Sequence, residues 1–266
     1  MKIVNVIGNG ESRKGFDLNT LTGIVIGCNA IFRDYTPDIL CASDQSMCKE
    51  IRESDYAGPL YTRPDWNKKF NALPYKELPW TGKQKYDDPW HMNTGPHAIN
   101  IACKEDPDRI ILLGFDISGS KDNPDKINNY YKDTENYDAS SHRRIPPHHW
   151  HPQLNNFFKL HPNIEFVYVQ PSNPDIPKEW RQNSNVIIVD YENVGKYTRW
   201  TTKCSLNWKT LLLFIKTTSK RILVLFSKNT QKPKKYFTQI VFGKQSKMLK
   251  IMPILVHLAV STTIAP

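Results

Sequence analysis

Short apolar runs separated by polar turns recur along most of the chain: Ile3–Ile7, Ile24–Cys28, Ile39–Ser43, Arg109–Gly114, Ile164–Val169 and Val186–Val189. Most are continuously apolar rather than alternating, which is how strands covered on both faces of a parallel sheet read. Between them, Ala98, Ile99, Ala102 and Cys103 recur at helical spacing. The pattern predicts a helix from Thr94 to about Lys104, with Thr94 as N-cap and Pro96 in the first turn. A second helix is expected over Pro152–His161, where Leu154, Phe157, Phe158 and Leu160 are apolar and Pro162 stops the run. Together these elements predict an α/β fold, a Rossmann-like open, mostly parallel sheet with helices on both faces.

Two stretches fit neither period. Residues 52–93 and 117–147 are rich in Pro, Tyr, Trp, Asp and Asn, and long irregular segments in a compact domain commonly form lids or binding loops. A larger change comes near Gly195. Residues 1–196 hold 23 Lys+Arg and 26 Asp+Glu, a net of 23 − 26 = −3, whereas residues 197–266 hold 13 Lys+Arg and no acid, a net of +13; the two sum to the overall +10. The expected organisation is a nucleotide-binding domain over residues 1–195 and a basic tail over 196–266. The tail carries apolar runs without clear caps, each shorter than the roughly 18 residues of a membrane span. Its composition suits peripheral contact with an acidic membrane surface, a sequence not selected to fold, or a small subdomain.

Dividing the charge in this way removes the electrostatic case for nucleic acid, because the body lacks a basic excess. Five cysteines without zinc or CxxC spacing fit buried thiols in a reducing compartment. Met1-Lys2 leads straight into a strand, so no secretory leader is expected and a cytoplasmic location follows.

In an open parallel sheet, ligands bind beyond the carboxyl ends of the strands, and there the chain places polar residues. The first strand ends in Gly8-Asn9-Gly10-Glu11-Ser12, the second in Asn29, the third in Ser43-Asp44, and the fourth in Gly114-Phe115-Asp116, while Asn93-Thr94-Gly95 opens the main helix. Glycines and a hydroxyl after a buried strand suit a phosphate, which backbone N–H groups and Ser12 could bind. The dinucleotide fingerprint is absent, since Arg13 stands where its third glycine belongs. Taken singly, each of these residues reads as a turn or a cap; their convergence on one sheet edge predicts a site.

Histidines cluster at His142, His148, His149, His151 and His161. Three readings stand for them: a general base or phosphate contact working near neutral pH, a metal site that would lack carboxylate or thiolate ligands at a typical interval, and plain loop histidines. Neither GxSxG nor GxxxxGK[ST] occurs, so serine hydrolase and Walker-type readings have no support.

Gly8-Asn9-Gly10-x-Ser12, Cys28-Asn29, and Asn93-Thr94-Gly95 heading a helix that enters Ile110–Asp116 together resemble the bacterial family-42 sialyltransferases. The arrangement is also similar to the motility-accessory and 6-hydroxymethylpterin diphosphokinase-like proteins, whose strand-end Asp resembles Asp44. The likeness covers roughly residues 1–175. It implies a metal-independent glycosyl transfer from a CMP-type sugar donor with no cofactor. On that basis Asn9, Gly10, Ser12 and Asn29 lie around the nucleotide and its phosphate, Asn93, Thr94 and Gly95 lie near the donor, and His148 or His149 serves as general base. The diphosphokinase alternative implies ATP and Mg²⁺ with Asp44 and Asp116 as carboxylates, and a non-catalytic nucleotide-binding protein is a third reading. Glu11 stands where the sialyltransferase pattern has Pro, and His91 where it has Arg.

Overall fold

A computed structural model describes residues 1–80, 92–117, 123–143, 150–171 and 176–198. The strands are β1 (Ile3–Ile7), β2 (Ile24–Cys28), β3 (Ile39–Cys41), β4 (Leu60–Thr62), β5 (Leu73–Pro74), β6 (Arg109–Leu113), β7 (Glu165–Val169) and β8 (Val186–Val189). All pair in parallel in one sheet of order β5-β4-β3-β2-β1-β6-β7-β8. From β1 the chain walks outward to β5 and then returns to the other side of β1 with β6. The strand order therefore reverses between β1 and β6, and ligands of open parallel sheets bind beyond the carboxyl ends of strands at such a reversal.

The α-helices are α1 (Gln45–Glu53), α2 (Thr94–Lys104), α3 (His151–Leu160), α4 (Lys178–Arg181) and α5 (Gly195–Thr198). They divide between the two faces of the sheet. On one, Val4, Val6, Ile26, Ile110, Leu112 and Phe166 pack against Ala98, Ile99 and Ala102 of α2, Leu154, Phe157 and Phe158 of α3, and the buried Trp180 of α4. On the other, Ile3, Ile7, Val25, Leu40, Ile111 and Val167 pack against Met47, Cys48 and Ile51 of α1. Alternate residues of each strand feed the two layers, which is why the strands are apolar throughout. This is the Rossmann-like architecture that the apolar runs predict.

Several boundaries differ. The third, fourth and fifth expected strands run Ile39–Cys41, Arg109–Leu113 and Glu165–Val169, one or two residues shorter than their apolar runs. The second expected helix begins at His151 and ends at Leu160. Within the stretch 52–93, read as irregular, lie the end of α1, the strand β4 and the edge strand β5. The N-cap of α2 is Asn93, not Thr94, which is the first helical residue. The Thr94 hydroxyl is drawn toward the neighbouring strand ends instead of the helix N–H groups. Finally, α5 crosses the expected domain boundary: Arg109 Nη1 donates to the Tyr197 carbonyl at 2.8 Å, and the Thr22 hydroxyl donates to the carbonyl of Thr198. Residues 196–198 thus belong to the body, and the rest of the tail lies outside the described residues. Among the described residues, no helix is long and apolar enough to cross a membrane.

Candidate functional site

At the reversal point, the turn after β1 and the end of β6 are knitted together. Gly8 N donates to the Leu113 carbonyl and Gly10 N to the Gly114 carbonyl, each at 2.8 Å. Gly114 holds a left-handed φ of 66°, which L side chains rarely adopt. A Cβ on Gly10 would run into the Asp116 carboxyl group, so glycine is what lets the two turns approach. Asp116 is buried, and both its oxygens are engaged by Ser12: the Ser12 N–H donates to Oδ2 at 2.8 Å and the hydroxyl donates to Oδ1. With its hydrogen committed to Asp116, the Ser12 oxygen accepts from the Tyr191 hydroxyl at 3.0 Å, and Tyr191 accepts from Gly114 N at 3.1 Å. Burial raises the Asp116 carboxyl above its ordinary value, against the lowering effect of Ser12, Asn128 and Gln170. Burial also pushes the Tyr191 hydroxyl up to about 12. Glu11 N donates to Asn128 Oδ1 at 2.8 Å.

This finding corrects the expectation of an open phosphate turn. The N–H groups of Gly8, Gly10, Glu11 and Ser12, and the Ser12 hydroxyl, all serve acceptors of this chain. A carboxylate of the protein stands where the glycine-rich turn was expected to meet an external anion.

The β2 and β3 side is built differently. Asn29 opens a 3₁₀ turn, Asn29–Arg33, with a left-handed φ of 51°, a conformation more tolerable in Asn than in most residues. Its Oδ1 accepts from the Thr94 hydroxyl at 3.1 Å, and Thr94 lies 3.0 Å from the Ser43 hydroxyl, itself 3.0 Å from the Tyr75 hydroxyl. Thr94 has one hydrogen, so Asn29 Oδ1 and the Ser43 oxygen are alternative acceptors for it. Tyr75 is fixed in turn by stacking on His97 of α2, with ring centroids 3.9 Å apart and 7° between planes.

Asn9 joins the two sides. Its Nδ2 donates to the Tyr137 hydroxyl at 2.7 Å. Asn9 Oδ1 is buried and has no partner among the described residues. An unpaired buried amide oxygen costs about 1–3 kcal/mol, which a ligand donor would remove. The stretch 123–143 crosses this edge as a strap. Tyr130 N donates to the Asn9 carbonyl at 2.7 Å, Arg13 Nη2 donates to the Tyr131 hydroxyl at 2.7 Å, and Lys132 Nζ pairs with Glu11 Oε1 at 2.6 Å.

Of the residues expected at the site, Gly8, Gly10, Ser12, Gly114 and Asp116 meet at the β1 and β6 turns, and Asn29 and Thr94 meet on the other side, with Asn9 between. Gly95 faces the Phe115 ring, which occupies the room left by its missing Cβ. Asn93 and Asp44 are the N-caps of α2 and α1, neither making a side-chain cap bond. Asp44 is exposed; the desolvation that raises its carboxyl pKa is opposed by Arg63. His148 and His149 lie outside the described residues. Sequence reasoning missed Tyr137, Tyr191, Tyr75, Asn128 and Arg13 as members of the edge. For Tyr137 and Asn128 the one signal was the density of Tyr and Asn between residues 117 and 147.

Among the described residues, no three His, Cys, Asp or Glu side chains are grouped to hold a metal ion. Asp116 and Asp44 come from different strand ends, and Ser12 already takes both oxygens of the first. Fold and site together define an open parallel α/β domain with a polar cluster at its topological switch point. No protein-family model matches the chain, and no curated protein matches it either.

Proposed function

We propose that the chain is a nucleotide-dependent transferase, and specifically a glycosyltransferase that uses a CMP-type sugar donor held along the carboxyl edge of β1, β2 and β6. The observation that carries this reading is the convergence of Asn9, Asn29 and Thr94 at the switch point, with Asn9 Oδ1 buried and unpaired. Ligands of open parallel sheets bind at such a place, and a ribose hydroxyl or a base amino group can supply the donor that Asn9 lacks. The closed turn after β1 favours a donor with one phosphate. A pyrophosphate needs several free N–H groups at the glycine-rich turn, and here Gly10, Glu11 and Ser12 have given theirs to protein acceptors. That choice agrees with the sialyltransferase-like motifs.

Transfer then rests on positioning and on a base that accepts the proton of the acceptor hydroxyl. His148 or His149 fills that role in this reading. No metal is assigned. The diphosphokinase alternative gains nothing from Asp116, whose oxygens are committed to Ser12.

Calorimetric titration with CMP, UDP, GDP and ATP, each with and without Mg²⁺, tests the nucleotide. CMP binding that is indifferent to chelation is expected. Preference for ATP with Mg²⁺ would overturn the glycosyltransferase reading, and silence with every nucleotide would overturn nucleotide binding altogether. Release of CMP from CMP-sugar donors then tests turnover, with a loss of roughly 10²–10⁴-fold in a His148→Ala/His149→Ala double variant.

A further inference from the structure

A cavity of about 420 Å³ opens on the carboxyl edge of the sheet, beside the closed turn after β1. It lies between that turn and the residues that follow β8, and Ser12, Lys14, Phe16, Asp190, Tyr191 and Glu192 line it. Its size falls within the roughly 300–1,000 Å³ of small-molecule sites. Phe16 and Tyr191 make an aromatic wall, with ring centroids 5.6 Å apart and 60° between planes.

The polar part of this lining consists mainly of acceptors. Ser12 gives its hydrogen to Asp116 and Tyr191 gives its own to Ser12, so both hydroxyl hydrogens are spent inside the protein. Gly114 N takes one lone pair of the Tyr191 oxygen at 3.1 Å and leaves the other for a further donor. Asn193 N and Nδ2 both donate to Asp190 Oδ1 at 2.8 Å, and Asp190 Oδ2 has no partner among the described residues. Glu192 adds an exposed carboxylate and Lys14 an exposed ammonium. Two carboxylates against one ammonium make the cavity a poor place for a phosphate, and the ammonium opposes a small cation. A neutral ligand that brings its own hydroxyl hydrogens suits the set. It donates to Tyr191, Asp190 and Glu192 and accepts from Lys14, while the negative ring faces of the aromatic wall meet its C–H groups. A sugar ring has all of these parts.

We propose that this cavity is the acceptor subsite of the transfer and that the acceptor is a neutral glycoside. The inference rests on the glycosyltransferase reading above and names its second substrate. Ser12 links the two halves of the site: it lines the cavity and belongs to the same turn as Asn9, so an acceptor seated here lies beside a donor held along β1, β2 and β6. In the transfer the acceptor oxygen bonds to the anomeric carbon of the donor as the bond from that carbon to the CMP phosphate oxygen breaks. CMP departs with that electron pair, and the proton of the acceptor hydroxyl passes to the histidine base.

The test uses the full chain and its Tyr191→Phe and Glu192→Ala variants, with the methyl glycosides of glucose, galactose, mannose and N-acetylglucosamine as probes. Binding is read by saturation-transfer NMR with and without CMP, and choline and inorganic phosphate serve as competitors. At least one glycoside should bind and be displaced by neither competitor. Each variant should weaken that glycoside about fivefold, an amount in keeping with one hydrogen bond, and Glu192→Ala should leave CMP affinity within about twofold. Glu192 is exposed, so its variant keeps the test decisive if Tyr191→Phe fails to fold. Unchanged glycoside affinity in either variant that folds overturns the placement, and displacement by choline makes the cavity a cation site instead. CMP weakened as much as the glycoside in Glu192→Ala gives the cavity to the nucleotide. Silence toward all four glycosides in a chain that binds CMP refutes the acceptor subsite and leaves the nucleotide reading standing. Glycoside binding without any CMP binding refutes the nucleotide reading, and the acceptor role falls with it.

Discussion

Asp116 at the end of β6 and Glu50 on α1 are two carboxylates that both hold the candidate site together, and their surroundings move them in opposite directions. Asp116 is buried and meets only neutral donors, Ser12 foremost, so burial wins and its carboxyl rises. At half-buried Glu50 burial also acts upward, but Arg33 and Asn136 outweigh it and the carboxyl falls below its ordinary value. Neutral hydrogen bonds fix the Asp116 turn at an electrostatic cost, whereas the Arg33 guanidinium fixes Glu50 with a gain. The turn is accordingly a rigid, closed part of the frame. The Arg33–Glu50 pair instead ties α1 and the turn after β2 to Thr134, Glu135 and Asn136 by side-chain contacts.

The most disruptive way to break this contrast is to force the closed turn apart. Gly10→Val places a branched side chain against the Asp116 carboxyl and should lower stability by about 3 kcal/mol in urea unfolding. A fully stable Gly10→Val protein would mean the turn is open. Next, Asp116→Ala strips Ser12 of its acceptor, and should cost about 2 kcal/mol, while Glu50→Ala, which removes a solvent-screened pair, should cost about 1 kcal/mol or less.

The pH response sharpens the comparison further. A raised folded-state pKa means that Asp116 adds stability fully below the ordinary carboxylate value and loses it as pH climbs through the raised one. Glu50 does the reverse, adding stability above the ordinary value and losing it as pH falls through its lowered one. Unfolding free energies measured between about pH 3 and pH 7 should therefore show a falling contribution that vanishes in Asp116→Asn and a rising one that vanishes in Glu50→Gln. Identical pH dependence in the two variants would contradict the assignment. The smallest effect is expected outside both regions: a chain ending at Thr198 should keep the unfolding midpoint within about 2 °C, because β8 and α5 already complete the sheet. A large drop would make the tail structural.

The elements that sequence reading recovers are those whose signal is local. β1, β2 and β8 have the bounds of their apolar runs, and α2 announces itself through Ala98, Ile99 and Ala102 together with Pro96. α1 escapes because it buries only Met47, Cys48 and Ile51 in nine residues, and β4 and β5 because strands of three and two residues carry no period. The strand-end residues of the site were visible for the same local reason, since each follows an apolar run directly. Their partners were not. Tyr137 meets Asn9 across 128 residues and Tyr191 meets Ser12 across 179, and nothing in an aperiodic stretch of Tyr and Asn says which ring returns to which turn. The Ser12 hydroxyl, expected to meet a phosphate, donates to a carboxylate that follows β6 and lies 104 residues away in the chain.

The position of β1 has a consequence for how the chain is made. β1 leaves the ribosome before the other strands and soon finds β2, but its other neighbour is β6, whose Arg109 pairs with Ile3. At typical synthesis rates of about 5–20 residues per second, the N–H and C=O groups on that side of β1 wait on the order of 5–20 s for their partners. During that interval the half-sheet β1–β5 presents a parallel edge of high apolar content to whatever is nearby, the situation that folded proteins avoid by covering or charging their edges. Synthesis slowed between Thr62 and Arg109 would lengthen the exposure, and a nascent chain of this protein offers holdase chaperones a strand that the finished fold conceals.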